Sequence, residues 1–286
     1  MSHPKTILVT GATAGIGKHT ALRLHAAGHR VFAAGRNPTA LAELGTQGLE
    51  TIALDLTQAE SIAAAKDEID RRTDGRGIDV LVNNAGYGLL APIELATDAD
   101  VRAQFETNVF GLLALTRAFV PAMRQRRSGR IINVSSVGGR MVFPLFGAYH
   151  ATKYAVEALS DAMRLELRQF GIDVSVIEPG YIRTDFTATS MGTFQKYVTD
   201  ASPYAEAIRL ASGADKVIER FAVGPGSVGR AIEHAATARC PRARYVAPFY
   251  NALGPLLVSL LPTWLTDLVF RRVARLDRPA TPALTA

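Results

Sequence analysis

Through the first 180 residues, short apolar runs alternate with stretches whose apolar residues recur at helical spacing. TILVT (6–10) reads as a strand bounded by Gly11, followed by a helix over 16–27 that ends at Gly28. RVFAAG (30–35) and TIALDL (51–56) read as the second and third strands, and 59–72 as a helix. DVLVNNAG (79–86) is a fourth strand running into a loop, before a long helix over 99–125. RIINVSS (130–136) is a fifth strand. A long helix over 147–170 is closed by Gly171, and DVSVIEPG (173–180) is a sixth strand stopped by Pro179. Strands apolar nearly throughout suit a sheet covered on both faces. Their regular alternation with helices predicts an α/β fold, a doubly wound parallel sheet in three α/β/α layers.

After Gly180 the pattern loosens. Residues 183–224 show no clear strand and read as a substrate loop; helix patterns lie near 203–221 and 226–238, and ARYVAP (243–248) offers a last strand. No repeat or linker divides the chain, so 1–250 reads as one domain. Residues 251–276 read as an apolar helical extension and 277–286 as a disordered tail rich in Pro, Ala and Thr. The run 251–270 is long enough to span a bilayer, but Asn251, Pro255, Pro262 and Asp267 interrupt it. A lid over the substrate cleft, a subunit contact, or a peripheral membrane contact through 251–275 fits it better; for the last, the arginines from Arg271 to Arg275 would face lipid headgroups.

Composition adds limits. The chain has 286 residues, ample for a buried core, and charged residues are 20% of it. The start, MSHPKTILVTG, has no long apolar stretch with a cleavage site, so a cytoplasmic protein is expected. One cysteine, Cys240, builds neither an internal disulfide nor a cysteine metal site. The net charge of +6 is dispersed, without an aromatic-interleaved basic motif or zinc spacing, which argues against nucleic acid as partner.

The chemistry begins at Thr10-Gly11-Ala12-Thr13-Ala14-Gly15-Ile16-Gly17, directly after the first strand and opening the first helix. Glycines there let the backbone approach a pyrophosphate, and the helix N-terminus supplies free amides and a positive dipole end. The second strand ends Ala34-Gly35-Arg36-Asn37. An acid there would hold a ribose 2′-hydroxyl, whereas Arg36 suits a 2′-phosphate, which predicts NADP(H) in preference to NAD(H). In Tyr149-His150-Ala151-Thr152-Lys153 the first and last residues share a helix face. A cation one turn away favours the phenolate and would lower a phenol pKa normally near ~10. Asn108 stands mid-helix, where asparagine is a poor choice.

The glycine spacing of Thr10–Gly17 matches TGxxxGxG, and with the Tyr149–Lys153 pair the chain resembles the classical short-chain dehydrogenase/reductase family, with its Rossmann fold. The resemblance covers roughly residues 5–190. It implies hydride transfer between NADP(H) and an alcohol/ketone pair, with Asn108, Ser136, Tyr149 and Lys153 as the catalytic set. Ser136 is preferred to Ser135 because Val137-Gly138-Gly139 follows it. By the same likeness, Gly11, Thr13, Gly15, Ile16 and Gly17 would hold the phosphates. Asp55 would contact the adenine, and Asn83-Asn84-Ala85-Gly86, which resembles the family's NNAG motif, would stabilise the sheet and border the cofactor, the last through Asn83, Ala85 and Gly86. The Asn108 carbonyl would hold a water linked to Lys153, and Tyr149 and Lys153 would also face the ribose. Pro179, Gly180, Ile182 and Thr184 would hold the nicotinamide amide group. The segments around Ser136 and Tyr149 look most like the hydroxysteroid and retinol dehydrogenase-like branch, which implies a lipophilic substrate. Met141, Phe143, Leu145, Phe146, Tyr181, Phe186 and Phe194 are candidates to line its pocket. A homodimer or homotetramer through the two long helices is also implied. Two other readings exist: a non-catalytic NADP(H)-binding regulator, expected to lose part of the Ser–Tyr–Lys set, and a nucleotide-sugar epimerase, expected to show TGxxGxxG.

Overall fold

The computed structural model describes residues 3–199, 202–211 and 222–277. Seven parallel strands form one sheet: β1 (Thr6–Thr10), β2 (Arg30–Gly35), β3 (Glu50–Ala53), β4 (Val80–Asn83), β5 (Gly129–Val134), β6 (Ile172–Pro179) and β7 (Arg244–Ala247). Their spatial order is β3-β2-β1-β4-β5-β6-β7, so the order reverses between β1 and β4. Ligands of such sheets bind at the carboxyl ends of the strands beside this reversal.

Helices cover both faces, as the doubly wound reading requires. On one face, α1 (Gly15–Ala26) and α8 (Gly226–Thr237) bury Leu24, Val228 and Ile232 against Ile7, Val9 and Val31. These two helices close tightly because Gly229 has no side chain; a Cβ there would stand 2.7 Å from the His19 ring. On the other face, α3 (Ala59–Arg72), α5 (Leu112–Arg126) and α6 (Gly147–Leu167) lie over Leu8, Phe32, Leu81 and Ile131, with Leu115, Phe119 and Met123 filling the gap. Burial of such apolar surface, at roughly 25 cal/mol per Å², holds the layers together.

The elements differ from the sequence pattern in four places. A helix missed in the pattern, α2 (Pro38–Thr46), follows β2; Asn37 caps it by accepting from the Ala40 amide at 3.1 Å, and Pro38 takes the first turn. The long helix expected over 99–125 is α4 (Asp98–Phe105) and α5 joined by a π-helical turn, Glu106–Gly111. The loop region contains α7 (Asp185–Phe194), and the predicted helix over 203–221 lies partly outside the described residues. The apolar run 251–270 is not one helix. It folds as α9 (Leu253–Leu260) and α10 (Thr263–Val273), broken at Pro262. Among the described residues no helix is long and apolar enough to cross a membrane. The predicted tail lies almost entirely outside the described residues.

Candidate active site

A cleft of about 950 Å³ opens at the carboxyl ends of the strands, running from Arg36 and Asp55 to Phe143 and Phe186. Its first half is main chain. Gly11 and Gly15 have φ of +63° and +52°, a left-handed backbone that glycine adopts without strain. A Cβ on Gly17 would stand 2.2 Å from the Gly11 carbonyl oxygen and 2.5 Å from Asn84 Nδ2, so Gly17 is required by packing under the loop. Gly17 itself does not line the cleft, whereas Gly11, Thr13, Gly15 and Ile16 do. The N-terminus of α1 has no side-chain cap and no acid in its first turn, so its amides and dipole face the cleft. A cradle closed to side chains, ending at uncapped amides, fits the pyrophosphate of a dinucleotide.

The loop is fixed from below. Thr10 Oγ1 accepts from the main-chain amides of Asn84 and Ala85, each at 3.0 Å. Asn84 Nδ2 in turn donates to the Thr10 carbonyl at 2.9 Å. Thr10 did not stand out in the sequence as a positioning residue, whereas Asn84 belongs to the motif expected to stabilise the sheet. Asn83 does not border the cleft: it is buried, donating to Thr116 Oγ1 at 3.0 Å and Asn133 Oδ1 at 2.9 Å, where it ties β4 to β5 and α5. Ala85 and Gly86 do line the cleft. At its far end Arg36 is exposed on the rim and acts to lower the Asp55 carboxyl, which is held down mainly by hydrogen bonds from Thr57.

The second half converges on Tyr149. Ser136 ends the strand region in front of it, and its Oγ accepts from the Gly138 amide at 3.0 Å. Burial pushes the Tyr149 phenol up to about 12, while a hydrogen bond with Ser136 acts to lower it. Lys153 is also buried, which holds it down at about 8, with the Glu157 carboxylate acting to raise it. Its Nζ lies 5.8 Å from the Tyr149 ring centre and donates to the Val134 carbonyl at 2.9 Å. The lowered phenol pKa expected from Lys153 is therefore corrected: loss of water raises it, Ser136 supplies the opposing hydrogen bond, and Lys153 directs its own to the Val134 carbonyl. Behind Lys153, Arg244 lies 3.2 Å from Glu157 and 3.3 Å from the fully buried Glu178. Pro179, Gly180, Ile182 and Thr184 line the cleft opposite.

Asn108 sits inside the π turn and does not reach the cleft. Its Nδ2 donates to the Tyr87 carbonyl at 2.9 Å and to Thr152 Oγ1 at 3.1 Å, and its Oδ1 accepts from the Tyr87 amide at 3.1 Å. A π turn is the usual mark of a local departure built for a site. Here it sets an asparagine between the loop after β4 and the turn of α6 that carries Lys153.

The short chain dehydrogenase family profile matches residues 5–193. The chain belongs to the short-chain dehydrogenase family. It is similar to 3-ketodihydrosphingosine reductase of Bacteroides thetaiotaomicron, 35% identical over 96% of this chain and 97% of that one. It is similar to human retinol dehydrogenase 16, 37% identical over 93% and 87%. Among solved structures, serine dehydrogenase complexed with NADP+ is 29% identical with a TM-score of 0.73, covering 84% of this chain and 93% of that chain. These likenesses agree with the hydroxysteroid and retinol branch read from the sequence. An oxidoreductase of the alcohol/ketone type using a nicotinamide cofactor follows from the family.

The end of the cleft beyond Tyr149 is aromatic. Phe143, Phe146, Tyr181 and Phe186, candidates for a substrate pocket, line it, with the Phe186 ring 5.5 Å from Tyr149. Three residues expected there are elsewhere. Phe194 is fully buried in a satellite core with Leu90 and Ile208; Leu145 packs on that core; Met141 packs under Gly254. A residue not singled out, His150, also lines the cleft. Its ring stacks on Phe146, its Nδ1 accepts from the Phe143 amide at 3.2 Å, and burial pushes it down to about 4. The imidazole is therefore neutral. Gly138 makes its place, since a Cβ there would stand 2.4 Å from the ring.

Proposed function

We propose that this chain reduces the carbonyl of a lipophilic ketone or aldehyde with NADPH, and runs the reverse oxidation with NADP+, using Tyr149 as general acid and base. The observation that carries the reading is one cleft with a glycine cradle at one end and Ser136, Tyr149 and Lys153 meeting an aromatic wall at the other. Gly11, Thr13, Gly15 and Ile16 would hold the pyrophosphate, Arg36 the 2′-phosphate, and Asp55 the adenine. Ala85, Gly86 and Lys153 would border the ribose, and Pro179, Gly180, Ile182 and Thr184 the nicotinamide amide. The nicotinamide, when bound, exchanges hydride with the substrate carbon.

The protein residues handle the oxygen. Ser136 donates a hydrogen bond to the carbonyl oxygen and holds it beside the Tyr149 hydroxyl. As that oxygen gains negative charge, Tyr149 passes its proton to it. A phenol held near 12 is in the proton-donating form at neutral pH, which suits reduction. The charged form of Lys153 favours the phenolate left behind, and Asn108 positions the helix turn that carries Lys153. The cleft walls Phe143, Phe146 and Phe186 exclude water and favour an apolar substrate, in line with relatives named for a sphingoid ketone and a retinol. A homodimer or homotetramer through α5 and α6 fits this reading; α6 exposes Tyr154 and Leu165 on its outer side.

The test is NADPH oxidation across steroids, retinoids, long-chain carbonyls and small ketones, with NADH as control. Turnover is expected with the lipophilic carbonyls and with NADPH ahead of NADH; faster use of NADH would remove the Arg36 argument. Tyr149→Phe should bind NADPH normally and lose about 10²–10⁴-fold in turnover. Near-wild-type turnover in that variant would sink the mechanism.

A further inference from the structure

The hairpin of α9 and α10 is built inside out for a water-facing surface. Along α9, Leu253, Leu256, Leu257 and Leu260 recur at helical spacing, and all four are exposed; Leu260 keeps 73% of its surface. Pro255 is the buried member of that helix. Aromatic side chains border the stripe: Phe249 at 83% exposed and Tyr250 before it, Trp264 at 68% after it. Leu261 and Val269 are exposed beyond it. Contiguous apolar surface of this kind marks a docking site.

Charge identifies the partner. Residues 249–276 carry one acid, Asp267, against Arg271, Arg272 and Arg275, within a chain of net charge +6. Arg271 and Arg272 are exposed in the last turn of α10, while Arg275 pairs with Glu206 at 3.0 Å. An uncharged leucine stripe flanked by aromatic rings and followed by arginines matches the order of layers in an anionic bilayer: acyl chains, interface, phosphate headgroups. A second copy of the chain would bring a segment with the same excess of arginine over acid to a two-fold contact.

The hairpin also adjoins the cleft. Phe270 of α10 meets Phe143, a cleft wall, edge to face at 5.3 Å between ring centres. Asn251, just before α9, stands over Gly180, where a Cβ would lie 1.9 Å from its Nδ2.

We infer that α9 and α10 form a membrane-docking surface that seats this protein peripherally on an anionic bilayer, beside the mouth of its cleft. The inference does not depend on the role of Tyr149. Full-length protein is mixed with sedimentable vesicles of phosphatidylglycerol and phosphatidylcholine, or of phosphatidylcholine alone. Binding to the mixed vesicles is expected, weakened by salt, and at least several-fold weaker on neutral vesicles. Leu256→Asp with Leu260→Asp should cut binding about 10-fold or more, and Arg271→Glu with Arg272→Glu several-fold. NADPH affinity, which none of these exposed residues touches, should stay the same in both variants and shows that they fold. Failure of the wild-type protein to bind mixed vesicles, or unchanged binding by the leucine variant, overturns the inference. So does a wild-type dimer, without vesicle binding, that the leucine variant converts to monomer; the patch is then a contact between copies.

Discussion

The two ends of the cleft are made of different material. The cofactor end is main chain: glycines at positive φ, an uncapped helix start, and Thr10 and Asn84 bracing the turn from beneath. The end beyond Tyr149 is side chain: Phe143, Phe146, Phe186 and the His150 ring, with Phe143 also meeting Phe270 of the C-terminal hairpin. A backbone cradle tolerates no added atoms and recognises what every dinucleotide shares. A wall of side chains can change its shape by substitution without disturbing the sheet. On the reading proposed above, one end would seat the cofactor, and the other would be free to choose the molecule.

The sharpest way to break that contrast is Gly17→Ala. The new methyl would stand 2.2 Å from the Gly11 carbonyl, so the loop must shift. Overpacking costs of ~1–3 kcal/mol are usual, and NADPH affinity should fall about 10-fold or more with it. Titration of NADPH fluorescence alongside thermal unfolding would show both losses; retention of both would mean the cradle is more compliant than its geometry. Phe186→Ala addresses the opposite end. It should raise KM for a lipophilic carbonyl about 5-fold while leaving NADPH affinity unchanged, since the ring faces Tyr149 and not the glycine turn. Equal damage to both constants would mean that the two ends are not separable.

The smallest effect is acid sensitivity at the substrate end. His150 is neutral in the folded protein because burial pushes it down to about 4, while the unfolded chain takes up a proton near 6.5. Folding stability from this group is present above 6.5 and is lost as pH falls from 6.5 towards 4. The expected loss is about 1 kcal/mol between pH 7 and pH 5.5. His19 and His29 are also lowered by burial and act in the same direction. Melting curves of wild type and His150→Gln across that range isolate the His150 share, which should appear as a shallower decline in the variant. Parallel declines would remove it.

Much of the cofactor end was legible in the sequence because main-chain requirements leave unambiguous letters. A glycine at Gly11, Gly15 or Gly17 stands where other residues are strained or do not fit. The strands were legible because both faces of the sheet are covered, so they are apolar throughout. The substrate end was harder, since an aromatic residue looks the same in a core and in a cleft. Phe194 and Phe186 are eight positions apart, and one is fully buried while the other faces Tyr149. The protonation of Tyr149 was misjudged because spacing gives proximity and says nothing of desolvation. Helix α2 was missed although Asn37-Pro38 is a start signal, because only Leu41 and Leu44 of its nine residues are buried.

The π turn at Glu106–Gly111 also acts as a register absorber. It takes up one residue more than an α-helical turn requires by widening locally, so the helix after it keeps its phase. The inward stripe of α5, with Leu115, Phe119 and Met123, therefore stays on the sheet, while Asn108 is turned toward Tyr87 and Thr152. Deleting a single residue between 106 and 111 would close the turn into an ordinary α-helix, leaving the stripe on the core and taking Asn108 off its partners. Chain length in this stretch thus serves Asn108 rather than the core.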